Sequence, residues 1–302
     1  MILLRTQTLW QDILRTTERA LAARALLPVP TNEEFIEDHG VRFFVRVLAG
    51  LRKKAEARKE QDEAERAGKT VDPFLPPEKD LTVAEVSDTH IAVLNKFNVV
   101  EHHLLIVTRH FEDQDMLLTL SDLEALWACM GPFDSLGFYN GGAAGGASQK
   151  HKHLQLVPLP LAKSGPAVPV EPLLKRAGFD AKGIGTIPAF DFRHAFVRLP
   201  DELWKNPLDA AKRTYDIYGD MLLHVGMTPP ASTGLTPQSL PYCLLLTRDW
   251  LLLVPRSREH FEDISFNSLA YAGSFFVWNE QQLARLRDYG PLHALKEVSL
   301  PS

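Results

Sequence analysis

Apolar residues recur with two different periods along the chain, and these periods predict the order of its elements. Near the amino terminus, apolar side chains return at near-helical spacing from Leu9 to Leu26, until two prolines interrupt the pattern. This spacing predicts an amphipathic helix. Residues 41–47 then carry valine or phenylalanine at every second position, which predicts a strand leading into a basic pair, Lys53 and Lys54.

Three short apolar segments follow between residues 73 and 108, with the sequences LTVAEV, THIAVLNKF and HHLLIVT. Segments rich in Val, Ile and Leu predict strands, and the short breaks between them predict an antiparallel meander. A helix is expected next, because Ser121 and Glu124 have the spacing of a capping box and the apolar residues Leu126 and Trp127 follow. The segments DSLGFYN and KHKHLQLVPLP then predict two strands of a hairpin, joined by a glycine-rich turn.

The second half of the chain begins with a segment rich in proline and glycine, residues 158–185, which predicts an irregular linker or excursion. After it we expect a strand at FRHAFVRL, a helix over 207–226, and two strands, YCLLLTRD and DWLLLVPR, joined tightly around Asp249. A further strand within SFNSLAYAGSFFVW precedes a final helix that begins near Asn279.

Two segments share a weak internal similarity: HHLLIVTRHFEDQD in the first half and DWLLLVPRSREHFEDI in the second. Each has an apolar strand followed by Arg, His-Phe and Glu-Asp. A duplicated half-barrel and a chance similarity between strands both explain this pattern. The second segment contains no His-x-His pair, so a duplicated chain would have kept one catalytic centre.

Composition narrows the class of protein. The 302 residues are 45% hydrophobic and 24% charged, as in a globular protein, and the net charge of -5 argues against nucleic acid as a partner. With Cys129 and Cys243 as the only cysteines, neither a disulfide framework nor a cysteine zinc site is expected, and the location is predicted to be cytoplasmic. The first 20 residues lack the apolar stretch of a signal peptide or membrane span, so no membrane association is expected.

The candidate chemistry is concentrated in residues 140–160, NGGAAGGASQKHKHLQLVPLP. Its four glycines allow positive φ and the close approach of an anion, such as phosphate, to backbone amides. On the strand that follows, a period of two places His151, His153 and Gln155 on one face. An imidazole beside a phosphate-binding turn is a candidate nucleophile, because a neutral imidazole can attack phosphorus when its other nitrogen is held by a hydrogen bond.

A His-x-His pair by itself fits two further interpretations. The histidines could be hydrogen-bonded structural groups, or they could bind a metal ion. A metal site would need more ligands than the neighbouring Gln155 and distant histidines supply, so no metal is predicted.

A longer pattern resembles a known family. The sequence N-G-G-x-x-G-G-A-S-Q-x-H-x-H-L-Q, with LNKFNVVEHHLLIVT upstream, resembles the diadenosine tetraphosphate phosphorylases, or ATP adenylyltransferases, of the histidine-triad superfamily. The similarity extends from Val41 to Trp278, since Asp72-Pro73-Phe74 resembles the family's Asn-Pro-Phe, and DWLLLVPRS and FNSLAYAGS resemble its carboxyl-terminal region. It implies an α+β fold with a histidine-triad-like antiparallel sheet, or half-barrel, flanked by helices. Residues 1–190 would carry the catalytic sheet, and residues 191–302 would complete the cleft, as one compact unit or as two domains.

The resemblance also implies the reaction, in which inorganic phosphate cleaves diadenosine tetraphosphate to ATP and ADP through an adenylyl-histidine. By position in the motif, His153 is the nucleophile and His151 supports it. Gln155 stands where hydrolytic relatives carry a third histidine. An amide can donate a hydrogen bond to phosphate but cannot exchange a proton near neutral pH, so we expect Gln155 to favour transfer to phosphate over transfer to water.

Substrate contacts are implied in four parts of the chain. They comprise Lys54, Asn95, Lys96, Asn140, Gly146, Ala147, Ser148, Gln149, Asn267, Ser268 and Leu269. The chain departs from the family at Ser274 and Trp278, where methionine and lysine are expected. The missing lysine removes a cation, while Trp278 could stack on a base or belong to the core.

The predicted ligands are a dinucleoside polyphosphate and inorganic phosphate, with no tightly bound cofactor. A divalent cation such as Mg²⁺ could accompany the polyphosphate. Monomer and dimer both remain open. Two alternatives to the phosphorylase activity are kept: another nucleotidyltransferase of the superfamily, for example a hexose-1-phosphate uridylyltransferase or nucleoside-diphosphate-sugar phosphorylase, and a non-catalytic dinucleotide sensor.

Overall fold

The computed structural model describes residues 1–48, 72–231 and 233–302. Within these residues the α-helices are α1 (Leu9–Ala22), α2 (Leu120–Met130), α3 (Glu171–Leu174), α4 (Pro207–His224), α5 (Ser268–Tyr271), α6 (Glu280–Tyr289) and α7 (Pro291–Val298). The strands are β1 (Thr31–Asp38), β2 (Val41–Leu48), β3 (Thr82–Glu85), β4 (His90–Leu94), β5 (Leu104–Thr108), β6 (Ser135–Gly141), β7 (His153–Pro158), β8 (Gly178–Phe179), β9 (Gly185–Thr186), β10 (Ala195–Arg198), β11 (Tyr242–Leu246), β12 (Trp250–Pro255), β13 (His260–Phe261), β14 (Ile264–Ser265) and β15 (Ser274–Val277). Short 3-10 turns occur at Thr6–Thr8, Ala143–Gly145 and Leu203–Lys205.

A ten-stranded antiparallel sheet forms the centre of the molecule, in the order β3-β4-β5-β7-β6-β11-β12-β10-β9-β8. The predicted meander is β3, β4 and β5, and the predicted hairpin is β6 and β7. Both predictions are confirmed. The first five strands come from the first half of the chain and the last five from the second, so the pairing of β6 with β11 joins the halves into one continuous sheet.

The strand order supports a duplication but corrects the alignment of the repeat. Read inwards from its two edges, the sheet runs β3-β4-β5-β7-β6 and β8-β9-β10-β12-β11, which is the same arrangement twice. The sequence similarity matched β5 with β12, whereas the topology matches β7 with β12. In this alignment Trp250, the first residue of β12, takes the place of His153, the first residue of β7. The two strands were confused because both are buried at every position, which gives them the same continuous Leu- and Val-rich pattern.

A second, three-stranded sheet contains the predicted strand at residues 41–48. This strand, β2, pairs with β1 antiparallel and with β15 in parallel. The sequence TNEEFIED of β1 is too acidic to predict a strand, yet a turn at His39 and Gly40, both with positive φ, returns the chain into register. Because β15 comes from the end of the chain, this sheet ties the amino-terminal region to the carboxyl-terminal region.

The helices α1, α2, α4 and α6 lie close to their predicted positions, whereas α5 occupies part of the segment SFNSLAYAGSFFVW that was predicted as a strand, and α7 follows the helix predicted to be the last. The start of α2 also needs a correction. Its N-cap is Thr119, whose side chain accepts from the Asp122 amide while the Asp122 carboxylate accepts from the Thr119 amide. The predicted capping box at Ser121 and Glu124 was therefore two residues too late. T-x-x-D has the same spacing, and the earlier start buries Asp122. The predicted helix at 207–226 is α4, and Asn279 caps α6 as expected.

Two large hydrophobic clusters pack on opposite faces of the central sheet. One covers the side of α1, α2 and α4, and the other the side of α5, α6, α7 and β15. The proline-rich segment is not a free linker, because Val168, Val170 and Leu173 are buried in the second cluster. None of the helices in the described part of the chain is long and apolar enough to span a membrane.

A third, smaller apolar cluster lies on strands of the meander. It consists of Phe74, Ile91, Val93, Leu105 and Val107. Because Val107 pairs with His153 and Leu105 with Gln155, this cluster occupies the same sheet face as the candidate catalytic side chains.

Candidate active site

The strand β7 separates its side chains as its alternation predicts. His153 and Gln155 lie on the face of the small apolar cluster, whereas Lys152, Leu154 and Leu156 point to the opposite face. All of them are buried. The alternation of the sequence therefore correctly predicts which side chains share a face of the strand, while their roles in the reaction stay predictions.

His153 has the hydrogen bond that a nucleophilic imidazole requires. Its Nδ1 lies 2.8 Å from the backbone oxygen of His151. Since a carbonyl oxygen only accepts, Nδ1 carries the proton and Nε2 carries the lone pair. Burial lowers the pKa of His153 to about 4, an effect opposed by the bond to the His151 carbonyl and reinforced by the neighbouring His151 ring. The imidazole is therefore neutral at physiological pH.

His151 lies just before β7 and is held at both ring nitrogens. Its Nδ1 is 2.7 Å from Oδ2 of Asp72, and its Nε2 is 2.9 Å from Oγ1 and 2.8 Å from the backbone oxygen of Thr108. Edge contacts with Phe74 and Phe111 enclose the ring. The supporting role expected for His151 agrees with this geometry.

Gln114 belongs to the site although no pattern in the sequence pointed to it. Its side-chain oxygen accepts from the His153 amide at 2.8 Å, and its nitrogen donates to the backbone oxygens of Asn140 and His153 at 2.9 and 3.2 Å. Direct pairing between β6 and β7 extends as far as Phe138 and Gln155. The Gln114 carboxamide thus replaces the missing ladder bonds where the two strands diverge to form the glycine turn.

The glycine turn has the positive φ values expected of it, at Gly142 (75°) and Gly146 (92°). Gly146 also allows a close approach, because a Cβ there would lie 2.7 Å from the Cα of Asn267. The amides of Gly145, Gly146 and Ala147 donate to backbone oxygens within the turn. These amides are therefore engaged in shaping the turn, whose exposed residues include Ala143 and Ser148.

Asn140 and the predicted distal segment are brought together. The side-chain oxygen of Asn140 accepts from the amide of Ser268 at 2.9 Å and from its hydroxyl at 2.6 Å. Asn267 caps α5 by accepting from the amide of the buried Leu269. The segment 267–269 is thereby fixed to the end of β6 beside the glycine turn, while Gln149, half-buried, lies at the end of that turn.

Asn95 lies on the site face beyond the apolar cluster, where its side-chain nitrogen is 3.2 Å from Nδ1 of His103. Lys96 is turned towards the surface and forms an ion pair of 2.8 Å with Glu78. The structure thus brings Asn95, but not the Lys96 charge, towards the catalytic strand. Lys53 and Lys54, the two candidates for a phosphate-binding lysine, lie outside the described residues.

The two positions that depart from the family have different surroundings. Ser274 is fully buried in β15 and its hydroxyl accepts from Nη1 of Arg46 at 2.8 Å. Burial lowers the pKa of Arg46 to about 10, with Glu33 opposing the shift, so the guanidinium remains charged. Trp278 is half-buried, and its amide donates to the side chain of Gln282 at 2.7 Å. Ser274 is therefore a packing residue of the small sheet.

No group of three or more His, Cys, Asp or Glu side chains suited to a metal ion occurs within residues 1–48, 72–231 and 233–302. The chemistry that these residues can perform is attack by the neutral His153 imidazole on an electrophile bound over β7. A buried imidazole with a fixed tautomer, next to a glycine turn on an antiparallel sheet, is the arrangement expected of a nucleotidyltransferase.

Comparisons with known proteins agree with this class. The family model of the Ap4A phosphorylase N-terminal domain matches residues 1–176, and that of the ATP adenylyltransferase C-terminal domain matches residues 188–301. The chain therefore belongs to the Ap4A phosphorylase family of nucleotidyltransferases. It is 29% identical over 271 residues to diadenosine 5',5'''-P1,P4-tetraphosphate phosphorylase 2 of Saccharomyces cerevisiae, covering 82% of this chain and 79% of that protein.

Two further proteins are similar. Protein APA1 of S. cerevisiae is 26% identical over 238 residues, with 72% of each chain covered. The crystal structure of yeast Ap4A phosphorylase Apa2 in complex with Ap4A superimposes with a TM-score of 0.74 at 23% identity, covering 100% of this chain and 99% of that one. The predicted α+β fold with an antiparallel sheet flanked by helices is thus confirmed.

Proposed function

We propose that this protein catalyses the phosphorolysis of diadenosine tetraphosphate and related dinucleoside polyphosphates by inorganic phosphate, giving ATP and ADP. The observation that carries the proposal is the hydrogen bond from Nδ1 of His153 to the His151 oxygen, which leaves the lone pair on Nε2 of a buried, neutral ring. Family membership supports the choice of substrate.

The reaction we propose has two displacements at the same phosphorus atom. In the first, Nε2 of His153 attacks the α-phosphorus of one adenosine, the bond to the bridging oxygen breaks, and ATP leaves with the electron pair. In the second, an oxygen of inorganic phosphate attacks the adenylyl group, the P–N bond breaks, and ADP leaves. Between the two steps Nδ1 keeps its proton, and the positive charge of the adenylylated ring is stabilised by the His151 carbonyl.

The surrounding groups have separate tasks in this proposal. The apolar side chains of Ile91, Val93 and Leu105 provide a surface for the adenosyl group, and Asn95 lies at its margin. Gln155 shares the face of His153 and donates a hydrogen bond to phosphate. Because the Gln155 amide cannot remove a proton from water, hydrolysis of the adenylyl group is slow. Phosphate already carries a nucleophilic oxygen and needs no such deprotonation, so it is the acceptor.

Conditions for the reaction complete the proposal. Mg²⁺ enters with the polyphosphate and neutralises part of its charge, so no dedicated protein site is needed. Cys129 and Cys243 are both free and buried, which suits a reducing compartment, and we place the activity in the cytoplasm.

Product analysis tests the reaction. Purified protein is incubated with diadenosine tetraphosphate and Mg²⁺, with and without radiolabelled inorganic phosphate, and the nucleotides are separated by chromatography. We expect equal amounts of ATP and ADP, only in the presence of phosphate, with the label in ADP alone. Two molecules of ADP, label in ATP, or rapid release of AMP without phosphate would each exclude the proposed reaction.

A further inference from the structure

Asp72 makes two hydrogen bonds that connect a loop to the catalytic strand, although 79 positions separate it from its partner His151. Its Oδ2 is 2.7 Å from Nδ1 of His151, and its Oδ1 accepts from the amide of Phe74 at 2.9 Å. A carboxylate can only accept, so Nδ1 of the His151 ring donates to Asp72. The side chain of His151 is 1% exposed and that of Asp72 24%, which shields the bond from most solvent competition.

The second nitrogen of the same ring is also fixed. Nε2 of His151 lies within hydrogen-bond distance of both the hydroxyl and the backbone carbonyl of Thr108, the last residue of β5. With Asp72 on one side and Thr108 on the other, the ring plane of His151 is determined. The backbone carbonyl of this residue is the group that accepts the Nδ1 proton of His153.

Asp72 also controls what covers the two imidazoles. The turn that it forms with the Phe74 amide directs the Phe74 ring against both of them, with centroids 5.6 Å from His151 and 5.5 Å from His153. Phe74 belongs to the apolar cluster that buries His153. One carboxylate thus orients the histidine beside the nucleophile and the ring that covers the nucleophile.

We propose that Asp72 is a positioning residue for adenylyl transfer. By holding the His151 ring, it fixes the His151 backbone carbonyl that accepts from Nδ1 of His153, and so keeps His153 in the tautomer with its lone pair on Nε2. This inference rests on the proposed function for the reaction that it assists. Asp72 touches neither substrate nor phosphorus and transfers no proton. Without it, the His151 ring and its peptide can rotate, and His153 populates the tautomer that presents an N–H to phosphorus.

The test compares Asp72→Ala with Asp72→Asn, because asparagine keeps an accepting oxygen. In a single turnover without phosphate, formation of the adenylyl-enzyme should slow by about 10- to 100-fold in Asp72→Ala, as expected for a misplaced reacting group, and by less than about threefold in Asp72→Asn. The dissociation constant of the dinucleotide should stay unchanged in both. Asp80→Ala, an exposed carboxylate of the same loop, is the matched control and should react like the unmodified protein.

A second measurement does not depend on the reaction. In protein labelled with ¹⁵N-histidine, the His153 resonances are identified by their loss in His153→Ala. We expect a protonated Nδ1 and a bare Nε2 in the unmodified protein and in Asp72→Asn, and a mixture of tautomers in Asp72→Ala. An unchanged tautomer in Asp72→Ala, or Asp72→Asn as slow as Asp72→Ala, would overturn the inference. Absence of any adenylyl-enzyme in the unmodified protein would instead overturn the proposed function, and the spectra would still decide the role of Asp72.

Discussion

Lys152 and His153 are neighbours in the chain, but their side chains lie on opposite faces of the same sheet and therefore in two different environments. Both side chains are basic and almost inaccessible, with relative exposures of 0% and 4%. They differ in the groups around them. Lys152 is surrounded by oxygen acceptors, whereas His153 has apolar neighbours and one carbonyl. Partner groups therefore decide what burial does to a base: carboxylates keep the buried Lys152 charged and structural, whereas burial among apolar groups leaves His153 neutral and available for chemistry.

Behind the strand, Lys152 belongs to a charged network. Its ammonium is 2.6 Å from Asp122, 3.2 Å from Glu112 and 3.1 Å from the backbone oxygen of Leu117, and Asp122 also contacts His90 at 2.9 Å. Burial alone would raise the pKa of Asp122, but Lys152 and His90 outweigh it and lower the pKa below its usual range. Lys152 and Asp122 therefore both stay charged and paired, and their ion pair holds β7 against the start of α2.

In front of the strand, His153 remains uncharged because burial lowers its pKa to about 4, and the bond to the neutral His151 carbonyl opposes this shift only in part. Its nearest partners among the described residues are the His151 carbonyl and the Phe74 ring. A ring held this way exposes a lone pair without prior deprotonation. The locked network behind the strand provides the rigid support that such a nucleophile needs.

The largest expected effect comes from removing the reacting group in front. His153→Ala should reduce phosphorolysis of diadenosine tetraphosphate by at least about 10⁴-fold, since it removes the group that forms the proposed adenylyl intermediate. The measurement is the steady-state rate, together with a search for the acid-labile adenylyl-enzyme. His194→Ala is the control, because His194 is also buried with a pKa lowered by burial, but lies elsewhere. A rate in His153→Ala equal to that of His194→Ala would contradict the assignment of the nucleophile.

The next effect comes from removing the charge behind the strand. Lys152→Met keeps the length of the side chain but leaves Asp122 without its main cation. We expect the free energy of unfolding to fall by about 3 to 5 kcal/mol, as when one partner of a buried ion pair is deleted. Urea unfolding measures it. Lys150→Met, at an exposed position two residues earlier, should change stability by less than about 0.5 kcal/mol.

A double variant separates the ion pair from simple packing. Because Asp122→Asn removes the charge that Lys152→Met leaves uncompensated, the two substitutions together should be less destabilising than the sum of each alone. Additive effects would mean that Lys152 contributes to stability only through its volume. They would contradict the claim that a charged network distinguishes the face of Lys152 from the face of His153.

Local patterns in the sequence were sufficient for the parts of the site that lie on one strand or turn. The alternation of His153, Lys152 and Gln155 and the positive φ of the glycine turn depend on neighbours in the chain, and both were predicted. The meander and the hairpin were also predictable, because short connections restrict which strands can pair.

Long-range contacts could not be predicted in the same way. Asp72 and Gln114 reach the catalytic strand from loops, and Gln114 follows the Phe-Glu-Asp of the internal similarity in a polar segment without a helix or strand period. The parallel pairing of β15 with β2 joins residues more than 200 positions apart. Such contacts are selected by the packing of the whole chain, which a local pattern does not record.

The smallest expected effect concerns how His153 responds to acid, because its neutral state distinguishes it from Lys152. Its pKa is about 4 in the folded protein, against 6.5 for an ordinary histidine. Between these pH values the unfolded chain binds a proton that the folded protein does not. The free energy of unfolding therefore decreases as the pH falls through 6.5 towards 4, and this single residue contributes a decrease of about 2 kcal/mol at pH 5.

Urea unfolding of the unmodified protein and of His153→Ala at pH 7 and pH 5 isolates this contribution, because the other ten histidines are common to both chains. His153→Ala should lose about 2 kcal/mol less stability between the two pH values. Equal losses would mean that His153 takes up its proton in the folded state as easily as in the unfolded one. An ordinary pKa of 6.5 would leave part of the His153 rings protonated near neutral pH, without a free lone pair on Nε2, and the contrast between the two faces of β7 would be weaker.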